Sequence, residues 1–120
     1  MKNLKKGLIM ELPDNVSEYL KYIVKTIKET MPVSAIYLFG SYATGNYTED
    51  SDLDIYIVTP DKSKRRLDYS LATSIAIGFP KKMALDILVG YEDSFEHRKD
   101  VLNTVEYEIS EKGVNIYAYS

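Results

Sequence analysis

The chain has 120 residues, 45% of them apolar, and a formal net charge of −3. That length suits one domain spanning residues 1–120 with a core of its own, and the acidic balance gives no general attraction to DNA or RNA. Cysteine is absent, which excludes disulfides and thiolate metal sites, and no apolar run approaches a membrane span or a signal-peptide core, so a cytoplasmic protein with no membrane partner is expected.

Residues 1–12 carry Lys2, Lys5 and Lys6 ahead of Leu8-Ile9-Met10; the pattern fits a flexible arm, a short strand or a contact surface equally well. Asp14 follows Pro13 as a natural N-cap, and Val16, Leu20, Ile23, Ile27 and Met31 then recur at helical spacing until Pro32 stops the helix. Val33 to Phe39 is almost wholly apolar and reads as a central strand. It ends abruptly at Gly40-Ser41. Glycine lets backbone approach a ligand closely, and Ser41 offers a hydroxyl and an N–H where a short helix could begin, an arrangement suited to phosphate. An ordinary turn with a serine cap would explain the same dipeptide.

Ten residues separate Ser41 from Asp52-Leu53-Asp54-Ile55-Tyr56-Ile57-Val58. In a strand, Asp52 and Asp54 project to one face and Leu53, Ile55 and Ile57 to the other. Two such charges about 4 Å apart repel by roughly 4 kcal/mol at a surface-like dielectric, and Asp is disfavoured in strands. A bound cation relieves both penalties, and carboxylate oxygens suit Mg²⁺ or Mn²⁺. A loop that ends at Asp52 would equally account for the first of the pair. Glu49 and Asp50 precede it as loop surface, and Pro60 ends the strand.

Asp61 to Gly78 reads as a second long helix with Leu67, Leu71 and Ile75 inward; its opening Lys62-Ser63-Lys64-Arg65-Arg66 is either a solvated basic face or a surface that steers phosphates or an acidic partner. Met83 to Val89 is a third strand with Asp86 in its middle, placed to join the Asp pair if the two strands are neighbours and to face water if it is an edge. A short helical turn over 92–98 carries His97, the only histidine, which reads as a surface or packing residue. Asp100 is expected to cap a last helix with Val101, Leu102, Val105 and Ile109 inward and Gly113 at its C′ position, before a final strand over Val114–Tyr119. The order α-β-turn-β-α-β-α-β predicts an α/β (α+β) fold, a small mixed sheet flanked by helices.

Gly-Ser, ten residues, Asp-x-Asp and a later strand Asp together resemble the signature of the DNA polymerase beta-like nucleotidyltransferase superfamily. The matching residues are Gly40, Ser41, Ala43, Gly45, Ser51, Asp52, Asp54 and Asp86. At this length the chain resembles a minimal nucleotidyltransferase, the group that includes the antitoxins paired with HEPN ribonuclease toxins, and it is similar to the catalytic half of kanamycin nucleotidyltransferase. Many relatives carry Arg where this chain has Tyr42 or Thr44.

The resemblance implies a nucleotidyltransferase fold like the polymerase beta palm. It implies Asp52, Asp54 and Asp86 as catalytic residues and ligands of two Mg²⁺ ions, Gly40 and Ser41 as nucleotide-binding residues, and ATP as donor. The implied reaction is transfer of AMP to a hydroxyl with release of pyrophosphate, with a tyrosine of a partner HEPN toxin as acceptor. Two other readings are a small-molecule nucleotidyltransferase of the aminoglycoside type working as a homodimer, and a module that neutralises a toxin by contact alone. The eleven tyrosines suit an interface, self-modification, or simply strands and core.

Overall fold

The computed structural model describes residues 12–60 and 83–118. The first element is helix α1 (Asp14–Thr30), which buries Val16, Tyr19, Leu20, Ile23, Val24 and Ile27 along one stripe. Asp14 is its first helical residue and not its cap: Pro13 holds the cap position with no side-chain hydrogen bond, and its carbonyl accepts from Val16 and Ser17 N–H. The chain then forms strand β1 (Ala35–Phe39), the single-turn helix α2 (Ser41–Thr44) and strand β2 (Leu53–Thr59). Beyond the long helix expected at 61–78, which lies outside the described residues together with its basic run and residues 1–11, come strand β3 (Leu85–Tyr91), helices α3 (Glu92–Arg98) and α4 (Val105–Lys112), and strand β4 (Val114–Asn115).

The strands form one sheet in the order β3-β2-β1-β4. β2 runs antiparallel to β1 and parallel to β3, and β4 runs antiparallel to β1, so the sheet is mixed as expected. β2 is central and buried on both sides, which explains its nearly unbroken apolar run after Asp54. Leu53, Ile55 and Ile57, with Ile36 and Leu38 of β1, form a core against the stripe of α1. On the opposite face Tyr56 and Val58 meet Phe95 of α3 and Ile109 of α4, with Ala35, Tyr37, Phe39 and Val105 packed around them.

The second face is held by a polar clamp that periodicity does not reveal. The Tyr56 hydroxyl donates to Glu106 Oε2 at 2.7 Å, and Arg98 Nε donates to Glu106 Oε1 at 3.1 Å. A methyl group at Gly90 would collide with that hydroxyl, so glycine is what lets the ring lie across β3. Burial works against the Glu106 carboxylate, but the Tyr56 hydroxyl, the residue's own backbone and Arg98 outweigh it and hold its pKa below the usual carboxylate value.

Several boundaries differ from the sequence reading: β1 begins at Ala35 and not Val33, and the third strand runs Leu85–Tyr91 and not Met83 to Val89. The last helix begins at Val105, not after Asp100, because Thr104 caps it: its hydroxyl accepts from Tyr107 N–H and donates to the Arg98 and Val101 carbonyls. Val101 and Leu102 are consequently exposed and not in the core. Gly113 is extended (φ −74°, ψ 164°), not left-handed, because the chain passes straight from α4 into β4. Only Val114 and Asn115 pair with β1, although Ile116 is buried behind them.

Glu106→Gln is expected to lower stability by about 1–3 kcal/mol, the range for breaking a buried charge-assisted hydrogen bond. The Glu106 pKa is depressed in the fold, so its stabilisation is present above the unfolded carboxylate pKa and lost as pH falls through the depressed value. Urea denaturation of both proteins should therefore show a gap at neutral pH that closes in acid.

Candidate active site

The site stands where β1, β2 and β3 end or begin together. β1 delivers Phe39, and the chain turns at Gly40 into α2. Gly40 has φ 74° and ψ −154°, a conformation that in practice only glycine adopts. A methyl group there would collide with Asp54 Oδ2. The register explains the meeting: Phe39 pairs with Asp54 across β1 and β2, so the Asp54 side chain lies against the backbone of the turn that follows Phe39. The two halves of the motif, ten residues apart in sequence, are thus in direct contact.

Parallel pairing brings in the third carboxylate. Asp54 and Asp86 are register partners in β2 and β3, and partners on adjacent strands project to the same face about 5 Å apart. Asp86 is exposed and Asp54 half-buried. Asp52 lies one residue before β2, not within it, and is exposed. The pKa of Asp54 is raised, first by burial and then by the charges of Asp86, Asp52 and Glu108. The structure therefore brings Asp54 and Asp86 together as register partners with Asp52 just ahead of β2, and the charge of Glu108 on α4, which sequence reasoning missed, also bears on Asp54. A single Glu on an amphipathic helix looks like ordinary solvated surface, so no local signal marked it.

The loop between the halves is tied down at both ends. Ala43 and Thr44 N–H donate to the Gly40 carbonyl, and Gly45 and Asn46 N–H to that of Ser41. Thr48 N–H donates to Ser51 Oγ at 2.8 Å, and Ser51 N–H to the Thr48 carbonyl at 3.1 Å, just before Asp52. Tyr42 is buried in the α1-side core and stacks on Tyr47, their ring centroids 4.5 Å apart. Tyr42 therefore anchors the turn from behind, while Thr44 is exposed. His97 is exposed on α3.

Sequence comparison decides the family. The profile described as the Nucleotidyltransferase domain matches residues 20–116. The chain belongs to the nucleotidyltransferase domain family. Among curated relatives, the proposed protein adenylyltransferase MJ0141 of Methanocaldococcus jannaschii is 27% identical over 89% of this chain and its own full length. A second proposed protein adenylyltransferase of that organism, MJ1379, is 42% identical over 40% of this chain; the match spans about half, 48%, of that relative's length. Two solved structures share the nucleotidyltransferase fold. A toxin–antitoxin crystal structure with AMP-PNP superposes with a TM-score of 0.60 at 22% identity, covering 80% of this chain and 70% of that one. A nucleotidyltransferase structure from Sulfolobus solfataricus superposes with a TM-score of 0.56 at 18% identity, covering 93% and 85%.

The donor set of this nucleotidyltransferase domain fits a divalent ion shared with a phosphate ligand. Among the described residues no three His, Cys, Asp or Glu side chains converge to enclose an ion unaided. Mg²⁺ commonly takes one or two carboxylates and completes its shell with water and substrate phosphates. Asp54 against the glycine cradle, with Asp86 beside it, supplies such a partial shell of hard oxygen donors.

The raised pKa of Asp54 carries a sign. The folded state holds that proton more tightly than the unfolded chain, so stability is greatest below the unfolded carboxylate pKa and declines as pH rises through the folded one. Asp54→Asn is therefore expected to be more stable than the unmodified protein at neutral pH in EDTA. The gap should narrow at low pH and at high salt, where the charges are removed or screened. Chemical denaturation of both proteins across pH measures it.

Proposed function

We propose that this domain transfers a nucleoside monophosphate, AMP from ATP, to a hydroxyl of a second protein. The contact between the Gly40 turn and the Asp54 carboxylate carries the reading, because a backbone turn suited to phosphate lies against a carboxylate suited to a divalent ion. Backbone N–H groups at the start of α2 and the Ser41 hydroxyl would hold the β and γ phosphates. Asp52, Asp54 and Asp86 would hold Mg²⁺, which when bound supplies charge neutralisation for the phosphates and acidifies the attacking hydroxyl.

Asp86 is the best-placed proton acceptor, being exposed and registered beside Asp54. The acceptor oxygen bonds to the α-phosphorus as the bond to pyrophosphate breaks, and the hydroxyl proton passes to Asp86. Tight fixing of Gly40 to Asp54 and of Ser51 ahead of Asp52 limits the motion of these groups, which favours in-line attack.

The names of the curated relatives, protein adenylyltransferases, and the toxin–antitoxin neighbour with its AMP-PNP support a protein acceptor, ATP as donor and an antitoxin role. A tyrosine on a HEPN-type toxin is the acceptor this reading favours. Asp86 and Leu88 are both exposed on the face that carries the carboxylates, which leaves a partner's side chain room to enter.

Incubation with α-labelled ATP, Mg²⁺ and the product of the neighbouring gene tests this. The expected result is label on the partner, located on a tyrosine by mass spectrometry and reduced at least about 10³-fold by Asp54→Asn, in line with loss of a metal-linked transition-state interaction. Complex formation with no label on either protein would instead favour neutralisation by contact.

A further inference from the structure

Asp52 is the one strand-motif carboxylate that the sheet does not hold. Asp54 and Asp86 are paired in the ladder, whereas Asp52 lies ahead of β2, at the end of the loop that leaves α2. Its downstream neighbour is fixed, Leu53 N–H donating to the Ala84 carbonyl at 2.9 Å. Where the Asp52 carboxylate stands is therefore set from the loop side.

That loop has a single inward side chain. Of residues 44–50 only Tyr47 is not exposed. Its ring packs against the α1-side core and stacks on Tyr42, the centroids 4.5 Å and the planes 13° apart. Tyr42 is a firm platform, because it is 4% exposed and follows Ser41 directly on α2. The left-handed backbone of Gly45 (φ 88°, ψ 3°) reverses the chain after α2 and sends Tyr47 back over Tyr42. The turn closed between Thr48 and Ser51 begins one residue after Tyr47 and ends one residue before Asp52. The stack thus fastens the loop that carries Asp52 to the helix that carries Ser41.

We propose that Tyr47, stacked on Tyr42, is a positioning residue that sets the distance between the Gly40-Ser41 turn and the Asp52 carboxylate. This rests on the nucleotidyl-transfer reading of that turn and that carboxylate. Two groups that grip one unit of nucleotide phosphates and divalent ion must stand at a fixed separation, and a small displacement of either weakens both. A ring that only covered the core would be replaceable by any apolar side chain of similar bulk. A ring that aligns the loop is not, since a stacked pair fixes the orientation of its members as well as their burial.

Isothermal titration calorimetry of the full chain with Mn²⁺ and α,β-methylene-ATP, which cannot be split at the α-phosphorus, tests the proposal as a double-mutant cycle. Tyr47→Leu is expected to weaken binding about three- to ten-fold, the worth of one stacked aromatic pair. Tyr47→Val should repeat that result, and Tyr47→Phe, which keeps the ring, should bind as the unmodified protein does. In an Asp52→Asn background Tyr47→Leu should change binding less than about two-fold, because the group it positions is gone. Thermal melts establish that each variant is folded. Unchanged binding in folded Tyr47→Leu or Tyr47→Val, beside weakened binding in Asp52→Asn, would overturn the role of Tyr47. Equal weakening by Tyr47→Leu with and without Asp52→Asn would overturn it too, by showing a structural effect that does not run through Asp52. Weakening by Tyr47→Phe as large as by Tyr47→Leu would overturn the stack as its basis. No binding by the unmodified protein, or full binding by Asp52→Asn, would overturn the reading of the site and this proposal with it.

Discussion

The site depends on the Asp54 carboxylate lying against the backbone of Gly40. That contact exists because Phe39 and Asp54 are paired across β1 and β2, so the turn leaving one strand sits over the first residues of the other. A side chain at Gly40 would occupy the space the carboxylate fills, and the backbone conformation there is one that other residues rarely adopt. The ten-residue spacing from Ser41 to Asp52 is then a consequence of geometry. It is the length of chain needed to form one helical turn and return to the same end of the sheet.

The two faces of the sheet divide the work. One face buries Ile36, Leu38, Leu53, Ile55 and Ile57 against α1 and carries most of the apolar packing. The other is covered beside β1 and β2 by α3 and α4, while Asp86 and Leu88 on β3 stay exposed. The carboxylates lie at the edge of this covered region. Asp54 is half-buried and its charge is disfavoured, whereas Asp86 remains accessible. A site that is enclosed at Asp54 and accessible at Asp86 is in keeping with the proposal of an acceptor supplied by another molecule.

Much of this was legible in the residues. The stripe from Val16 to Ile27, the apolar runs of β1 and β2, and the punctuation by Pro32, Gly40 and Pro60 follow from local periodicity and backbone chemistry, and each appears where expected. The alternation around Asp54 placed its side chain opposite Leu53 and Ile55, and the structure agrees. What was not legible depends on contacts between distant segments. Thr104 caps α4, where Asp100 was expected, because the Thr104 hydroxyl closes back on the Arg98 and Val101 carbonyls. Val101 and Leu102 fit a helical stripe but sit in the loop outside it. Glu106 and Glu108 are alike in sequence, yet one is buried under Tyr56 and the other is exposed, a distinction set by which flank of α4 meets the sheet.

The central claim is that the chain breaks ATP at the α-phosphorus. Parallel incubations with α-labelled and γ-labelled ATP, in Mg²⁺ and with the neighbouring gene's product, test it most directly. Covalent retention of the α label only, with the γ label recovered in pyrophosphate, is the predicted result. Retention of the γ label, or its release as inorganic phosphate with nothing bound to protein, would contradict it.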